Sequence, residues 1–175
     1  MGKRSDFERL PRDKYYTPEA AVLPLLPHLE YGTMFIEPCA GDGRLVKHLE
    51  KHGMSCIWAF DIEPGADWVE QGDALATAFD LEPDADCIIT NSPWDRKLLH
   101  PVIEAFSRQL PSWLLFDADW AHTRQSAPFM PYCRKIVSVG RVKWIEDSKM
   151  SGKDNVAWYL FDWNRPGPTA FFGRT

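Results

Sequence analysis

The sequence predicts an open α/β sheet of about seven mostly parallel strands, with an antiparallel edge strand and helices on both faces. Three observations lead there. Short apolar runs alternate with segments of helical spacing through the first two thirds of the chain. Two further strand-like runs, 134–144 and 156–163, follow with only a polar connection between them, which suits an antiparallel pair. Finally, Glu37, Asp61, Asp73 and Asn91 close four successive strand-like runs. Ligands of such sheets bind at the carboxyl ends of the strands, and packing alone gives no reason for polar residues at four of them.

Residues 1–13 are polar and are expected to form a flexible arm ahead of a single domain over 14–165. Thr17 can cap a helix, Pro18 suits its first position, and Glu19 suits the positive end of its dipole. That helix, 18–29, is broken or ended by Pro24 and Pro27. A buried strand is expected over 33–37. A helix over 43–52 follows, with Leu45, Val46 and Leu49 on one face and Gly53 as its stop.

Strands over 55–60 and 68–71 come next, then an acidic loop to Asp84 and a strand over 86–90. The helix over 95–110 carries Pro101 as a kink. A fifth strand spans 113–116, and 119–133 reads as irregular or partly helical. Residues 166–175, opening on Pro166-Gly167-Pro168, read as a tail.

The chain of 175 residues is long enough to bury a sizeable core in one domain. Its apolar runs are too short to span a bilayer, so no membrane association is expected. Cys39, Cys56, Cys87 and Cys133 are widely spaced, and His28, His48, His52, His100 and His122 lack partners at metal-binding spacing. No metal is expected, and the free thiols suit a reducing, cytoplasmic setting.

Charge is uneven. Residues 1–90 hold 8 Lys+Arg against 17 Asp+Glu, a balance of −9, while residues 91–175 hold 12 against 8, a balance of +4. Six bases cluster from Arg134 to Lys153. A basic face of this kind can bind phosphates on an acidic protein, or it can be a lysine-protected sheet edge.

Gly41-Asp42-Gly43 allows a backbone to approach a ligand closely. Val46 stands where the third glycine of a dinucleotide fingerprint would fall, and Glu37 and Asp42 would repel a pyrophosphate. A cationic ligand suits the loop better. Asp61, 20 residues after Gly41, can accept two ribose hydroxyls. Asp73 can accept from an exocyclic amine. Asn91-Ser92-Pro93-Trp94 offers a side-chain oxygen and a backbone carbonyl that can hold an amino group, beside an aromatic face that can stack on the ring bearing it. Trp120, Arg124, Lys143 and Trp144 are weaker candidates for substrate contact. Asp117 and Asp119 read as cap residues around Trp120.

Taken together, these residues resemble the class I S-adenosylmethionine-dependent methyltransferases, within them the adenine-N6 DNA methyltransferases of the Asn-Pro-Pro-aromatic type. Tyr15-Tyr16-Thr17-Pro18 looks like the family's Tyr-x-Thr-Pro element, which helps hold the methionine end of the cofactor. Glu37-Pro38-Cys39-Ala40-Gly41-Asp42-Gly43 resembles its glycine loop. Asp61 with Ile62 matches the ribose-binding acid and its adenine-flanking neighbour, and Gly72-Asp73-Ala74 resembles the segment that reads the cofactor adenine. Asn91–Trp94 is similar to the catalytic motif, with Ser92 in place of its first proline.

The resemblance implies a Rossmann-like fold, S-adenosyl-L-methionine as cofactor, and methylation of an exocyclic amino group, with DNA favoured over RNA as the partner. It is similar in size to small phage-type enzymes. The chain has little room for the target-recognition domain of larger relatives, so sequence specificity is expected to be low or to come from loops or a partner; a homodimer or a specificity partner is the expected assembly. Two rival readings differ in consequence. One is methylation of RNA adenine, of cytosine N4 or of a protein glutamine; Asn91 at the head of the motif favours adenine over cytosine. The other is a catalytically inactive, cofactor-binding partner subunit.

Overall fold

The computed structural model describes residues 15–76, 84–144, 152 and 154–174. The expected arm over 1–13 and most of the connection over 148–155 lie outside them. Eight strands form one sheet: β1 Met34–Glu37, β2 Ser55–Asp61, β3 Glu70–Gln71, β4 Cys87–Asn91, β5 Ser112–Asp117, β6 Cys133–Arg141, β7 Asn155–Phe161 and β8 Ala170–Phe172. Their spatial order is β3-β2-β1-β4-β5-β7-β6-β8. Pairings from β3 through β5 are parallel. β7 is antiparallel to both β5 and β6. The sequence placed an antiparallel strand at this side of the sheet; it is β7, inserted between β5 and β6 rather than outermost.

The outermost strand is β8, paired in parallel with β6 through Lys135↔Ala170 to Val137↔Phe172. The expected tail over 166–175 is corrected here, because its apolar Ala170-Phe171-Phe172 completes the sheet. Thr169 Oγ1 donates to the Cys133 carbonyl at 2.8 Å and fixes the start of this strand.

Both faces of the sheet are covered, and the two-residue period of each strand divides its side chains between them. Phe35, Ile89, Leu115 and Trp158 face one core, shared with Ala21, Val22, Leu45 and Leu49. These come from α1 Glu19–Val22 and α2 Arg44–Lys51. Ile36, Ile88, Leu114 and Tyr159 face the other core, with Leu99, Ile103 and Phe106 of α3 Arg96–Gln109. Trp158 Nε1 donates to the Ala21 carbonyl at 2.8 Å, which ties β7 to α1.

Helix boundaries follow local chemistry. Asp95 caps α3, accepting from the Lys97 N–H at 3.0 Å, and the helix runs through Pro101. α1 is a single turn, because Pro24 and Pro27 cannot supply the N–H groups that would extend it. Pro18 rather than Thr17 occupies the cap position, and no side chain bonds there. No helix among the described residues is long and apolar enough to cross a membrane.

Gly43 caps α2 at φ 76°, where a Cβ would overlap the Trp68 indole. Gly43→Ala is expected to cost about 1–3 kcal/mol in a denaturant titration, from left-handed strain and the displaced indole. Adding Trp68→Ala should relieve the overlap and leave the strain. Equal stability of wild type and Gly43→Ala would contradict this account.

Candidate functional site

The parallel strands point their carboxyl ends to one edge, and a cavity of about 310 Å³ opens there. Glu37 comes from the end of β1, Asp61 from β2 and Asn91 from β4. The loop after β1, Pro38 to Asp42, forms one wall with Tyr16 and Thr17. Ile62, Asp73, Ala74, Asn91, Ser92 and Pro93 also line the cavity. Most of the residues singled out from the sequence for cofactor and amine binding are therefore brought together in one cavity.

Asp61 organises the loop. One carboxylate oxygen accepts from the Gly41 N–H at 2.9 Å and the other from the Glu63 N–H at 2.8 Å. Gly41 itself sits at φ 55°, with the Tyr16 ring 3.6 Å from where a Cβ would stand. Gly65 closes the turn by donating its N–H to the Gly41 carbonyl at 2.8 Å. Asp42, just before the Gly43 cap of α2, accepts from the Arg44 N–H at 3.0 Å and pairs with Arg44 Nε at 2.9 Å. Asp73 accepts from the Leu75 N–H at 2.9 Å in a tight local turn.

Glu37 is 1% exposed, and its Oε2 has no hydrogen-bond partner among the described residues. Burial holds its carboxyl well above the usual carboxylate range; Asp61 and Asp42 push the same way, against a hydrogen bond from the Val46 backbone. A group held higher when folded binds more protons folded than unfolded. Its stabilising share is complete below the unfolded value of 4.5 and is lost as pH rises through the folded value. The ligand-free protein should therefore lose stability with rising pH across that window, and Glu37→Gln should flatten the slope in denaturant titrations. A slope unchanged by the substitution would refute this. Burial, then Asp61, pushes the Cys39 thiol up to about 12, so it is not a thiolate nucleophile at neutral pH.

At the Asn91 turn, the amide Nδ2 donates to the Tyr15 carbonyl at 3.1 Å. That bond fixes which end of the amide is which. Oδ1 is left as a shielded acceptor with no partner among the described residues. Ser92 is buried, and its hydroxyl too has no partner among them. Pro93 restricts the Ser92 backbone to extended conformations. Trp94 is half-buried and meets Trp144 edge-on, ring centroids 5.9 Å apart; Trp144 in turn lies 6.2 Å from Tyr15.

Other expected residues stand elsewhere. Pro18, Gly43 and Trp94 do not line the cavity. Trp120 is corrected from a substrate contact to a core residue: it is 1% exposed, packs edge-on against Phe116 and Tyr159, and donates to His100 Nε2 at 3.1 Å. Arg124 and Lys143 are exposed and lie outside the cavity. The sequence reading missed Arg44, Glu63, Leu75 and Leu98, all of which line it. Ile62, Leu75 and Leu98 are exposed at 54%, 42% and 45%, so the cavity offers bare apolar surface to a ligand. For Leu75 and Leu98 the available signal was their position just after Asp73 and Asn91–Trp94.

No protein-family model matches the chain, and no curated protein does. Solved structures match its fold. A candidate RNA methyltransferase from Pyrococcus horikoshii aligns with TM-score 0.60 at 16% identity, covering 91% of this chain and 92% of that one. A candidate class I S-adenosylmethionine-dependent methyltransferase from Listeria monocytogenes aligns with TM-score 0.57 at 14% identity, over 87% of this chain. The chain spans 62% of that structure's length. The 23S rRNA methyltransferase ErmE aligns with TM-score 0.52 at 13% identity, covering 84% of this chain and 68% of that one. The fold is thus the Rossmann-like open sheet of this class.

Proposed function

We propose that the protein transfers the methyl group of S-adenosyl-L-methionine to an exocyclic amino group of a nucleic-acid base, with adenine N6 in DNA as the favoured target. The observation that carries this reading is the Asn91 amide. Its donor end is committed to the Tyr15 carbonyl and its acceptor end is unmatched, on the wall of the cavity that also holds the glycine loop. An unmatched shielded acceptor costs stability unless a ligand satisfies it, and an amino group is the donor it fits.

The residues present suit the cofactor. The close backbone at Gly41, the acidic lining and the unmatched Glu37 oxygen favour a cationic nucleoside. Asp61 would take the ribose hydroxyls and Asp73 the adenine amine, with Ile62 and Ala74 flanking the ring. Tyr16, Thr17 and the loop Glu37-Pro38-Cys39-Ala40-Gly41-Asp42 would enclose the amino-acid end. When bound, S-adenosyl-L-methionine supplies an electrophilic methyl group on a sulfonium.

The chain's own part is to hold the amine. Asn91 Oδ1 and the Ser92 carbonyl accept its two hydrogens, which turns the nitrogen lone pair out of conjugation with the ring. Positioning and fixed dipoles then supply most of the rate. Trp94, braced by Trp144, offers the face on which a flipped base stacks, and stacking offsets part of the few kcal/mol that flipping costs. Arg124 and Lys143, both exposed, suit phosphate contacts.

The test is incubation of the purified protein with methyl-labelled cofactor and separate DNA, RNA and protein pools, followed by mass spectrometry of the digested nucleosides. N6-methyldeoxyadenosine is expected. Label confined to protein, or no transfer at all, overturns the reading in favour of glutamine methylation or an inactive subunit. A second reading, RNA adenine, is favoured by two of the fold neighbours being named as RNA methyltransferases. It predicts N6-methyladenosine in the RNA pool instead.

A further inference from the structure

The outer edge of the sheet carries a charge that the chain as a whole does not. Residues 133–144 and 163–174 hold six Lys and Arg and no Asp or Glu, in a chain with 20 against 25. The sheet joins these two segments, because β6 and β8 pair in parallel at its outer side. Asp162 pairs with Arg165 at 3.8 Å, and Asp154 precedes Asn155, the partner of Arg141, so the edge loses some of its charge but stays positive. Two exposed phenylalanines stand on β8, Phe171 at 69% and Phe172 at 38%. Alternation along the strand sends them to opposite faces. Phe172 meets the His28 ring edge-on at 4.5 Å, with the Lys135 ammonium 6.0 Å from its centre. Phe171 keeps most of its ring in solvent.

Strand direction brings this edge to the side on which the cavity opens. β7 is antiparallel to both β5 and β6, so β6, and β8 with it, runs the same way as β5. Arg141 ends β6 and Arg174 follows β8, both exposed, at the carboxyl ends of their strands. Gly140 makes room for this pair: it sits at φ 83°, with Arg174 Nη1 3.2 Å from where a Cβ would stand. Four strand spacings separate β4 from β8, about 19 Å. About six nucleotides of one strand cover that span at the B-form rise.

Bases can simply guard an edge strand against pairing, but a guarded edge does not present a bare aromatic ring. A second copy of this chain would set the six bases against the same six across a two-fold, so like charges would meet. A polyanion with flat rings suits both the charge and the ring. We propose that the β6–β8 edge binds the unpaired nucleic-acid strand flanking the target base, with Arg141 and Arg174 on its phosphates and Phe171 stacked on one of its bases. This rests on the nucleic-acid reading above.

The test is binding of labelled random-sequence oligonucleotides, single-stranded and duplex, followed by fluorescence anisotropy over a range of salt. Wild type is expected to bind the single strand more tightly. Phe171→Ala should weaken the single strand by about 5- to 100-fold, the range for one stacked base, and the duplex by much less. Arg174→Gln should lower the single-strand salt slope by about 0.7, the share of one phosphate contact. Both residues lie outside the cavity, so S-adenosylhomocysteine binding should stay as in wild type. Unchanged oligonucleotide binding in both variants overturns this surface and leaves the proposed reaction standing. A wild-type preference for duplex overturns it too, as does a wild-type dimer that Phe171→Ala dissociates, which would assign the edge to a second copy. Wild type that binds neither oligonucleotide overturns the nucleic-acid reading, and this proposal with it.

Discussion

Asn91→Ala is expected to reduce methyl transfer by about 10²- to 10³-fold in single-turnover assays, the cost of removing one fixed dipole from a reacting centre. Binding of S-adenosylhomocysteine should stay close to wild type. The split follows from geometry. The Asn91 amide spends its donor end on Tyr15 and leaves its acceptor end unmatched among the described residues, so under the proposed function neither end is committed to the cofactor.

The substitution also strips the Tyr15 carbonyl of its donor. That should lower stability by about 1 kcal/mol, too little to unfold a domain with two covered sheet faces. Asn91→Asp is the informative companion. It keeps an oxygen for the amine but sets a second oxygen against the Tyr15 carbonyl, so its activity should fall between wild type and alanine. Turnover like wild type in Asn91→Ala would remove Asn91 from the chemistry, and with it the proposed reaction. Equal loss of cofactor binding would instead make the residue structural.

The strand-end residues could be read from the sequence because their signal is local. A parallel strand buried on both faces is a continuous apolar run, so a polar residue closing it stands out, as at Glu37, Asp61 and Asn91. The parallel pairing from β1 to β5 follows from the same alternation of strands and helices. What could not be read depends on partners distant in sequence. β8 is three residues long, too short to show a period, and it exists because β6 offers it an edge. Trp120 sits between Asp119 and Ala121 in a polar stretch, and only the packing of Phe116, Phe129 and Tyr159 makes it core.

The Tyr15 contact was hidden for a different reason. It uses a backbone carbonyl, which every residue has, so no choice of side chain advertises it. Arg44 was hidden because a basic residue in the first helical turn opposes the dipole and reads as incidental. That it lines the cavity emerges only once the loop and the strand ends are assembled.

Asp61→Ala is expected to weaken S-adenosylhomocysteine binding by about 100-fold, and here the effect has two sources that must be separated. The carboxylate is a pin and, under the proposed function, a ligand contact as well: it accepts from the Gly41 and Glu63 N–H groups at 2.9 and 2.8 Å. Each oxygen has a second lone pair for a ribose hydroxyl, so both roles are open to it at once. Loss of the pins alone should cost about 1–3 kcal/mol of stability and loosen the glycine loop, which would weaken every nucleoside alike. Loss of the ribose contact should weaken only ligands that carry the diol. Comparing S-adenosylhomocysteine with its 2′,3′-dideoxy analogue separates them. Wild type should prefer the diol by 10-fold or more, on the order of one charge-assisted hydrogen bond, while Asp61→Ala should bind both ligands equally weakly. A preference that survives in Asp61→Ala would leave Asp61 as the pin of the loop and nothing more, and unchanged affinity would remove it from the site altogether.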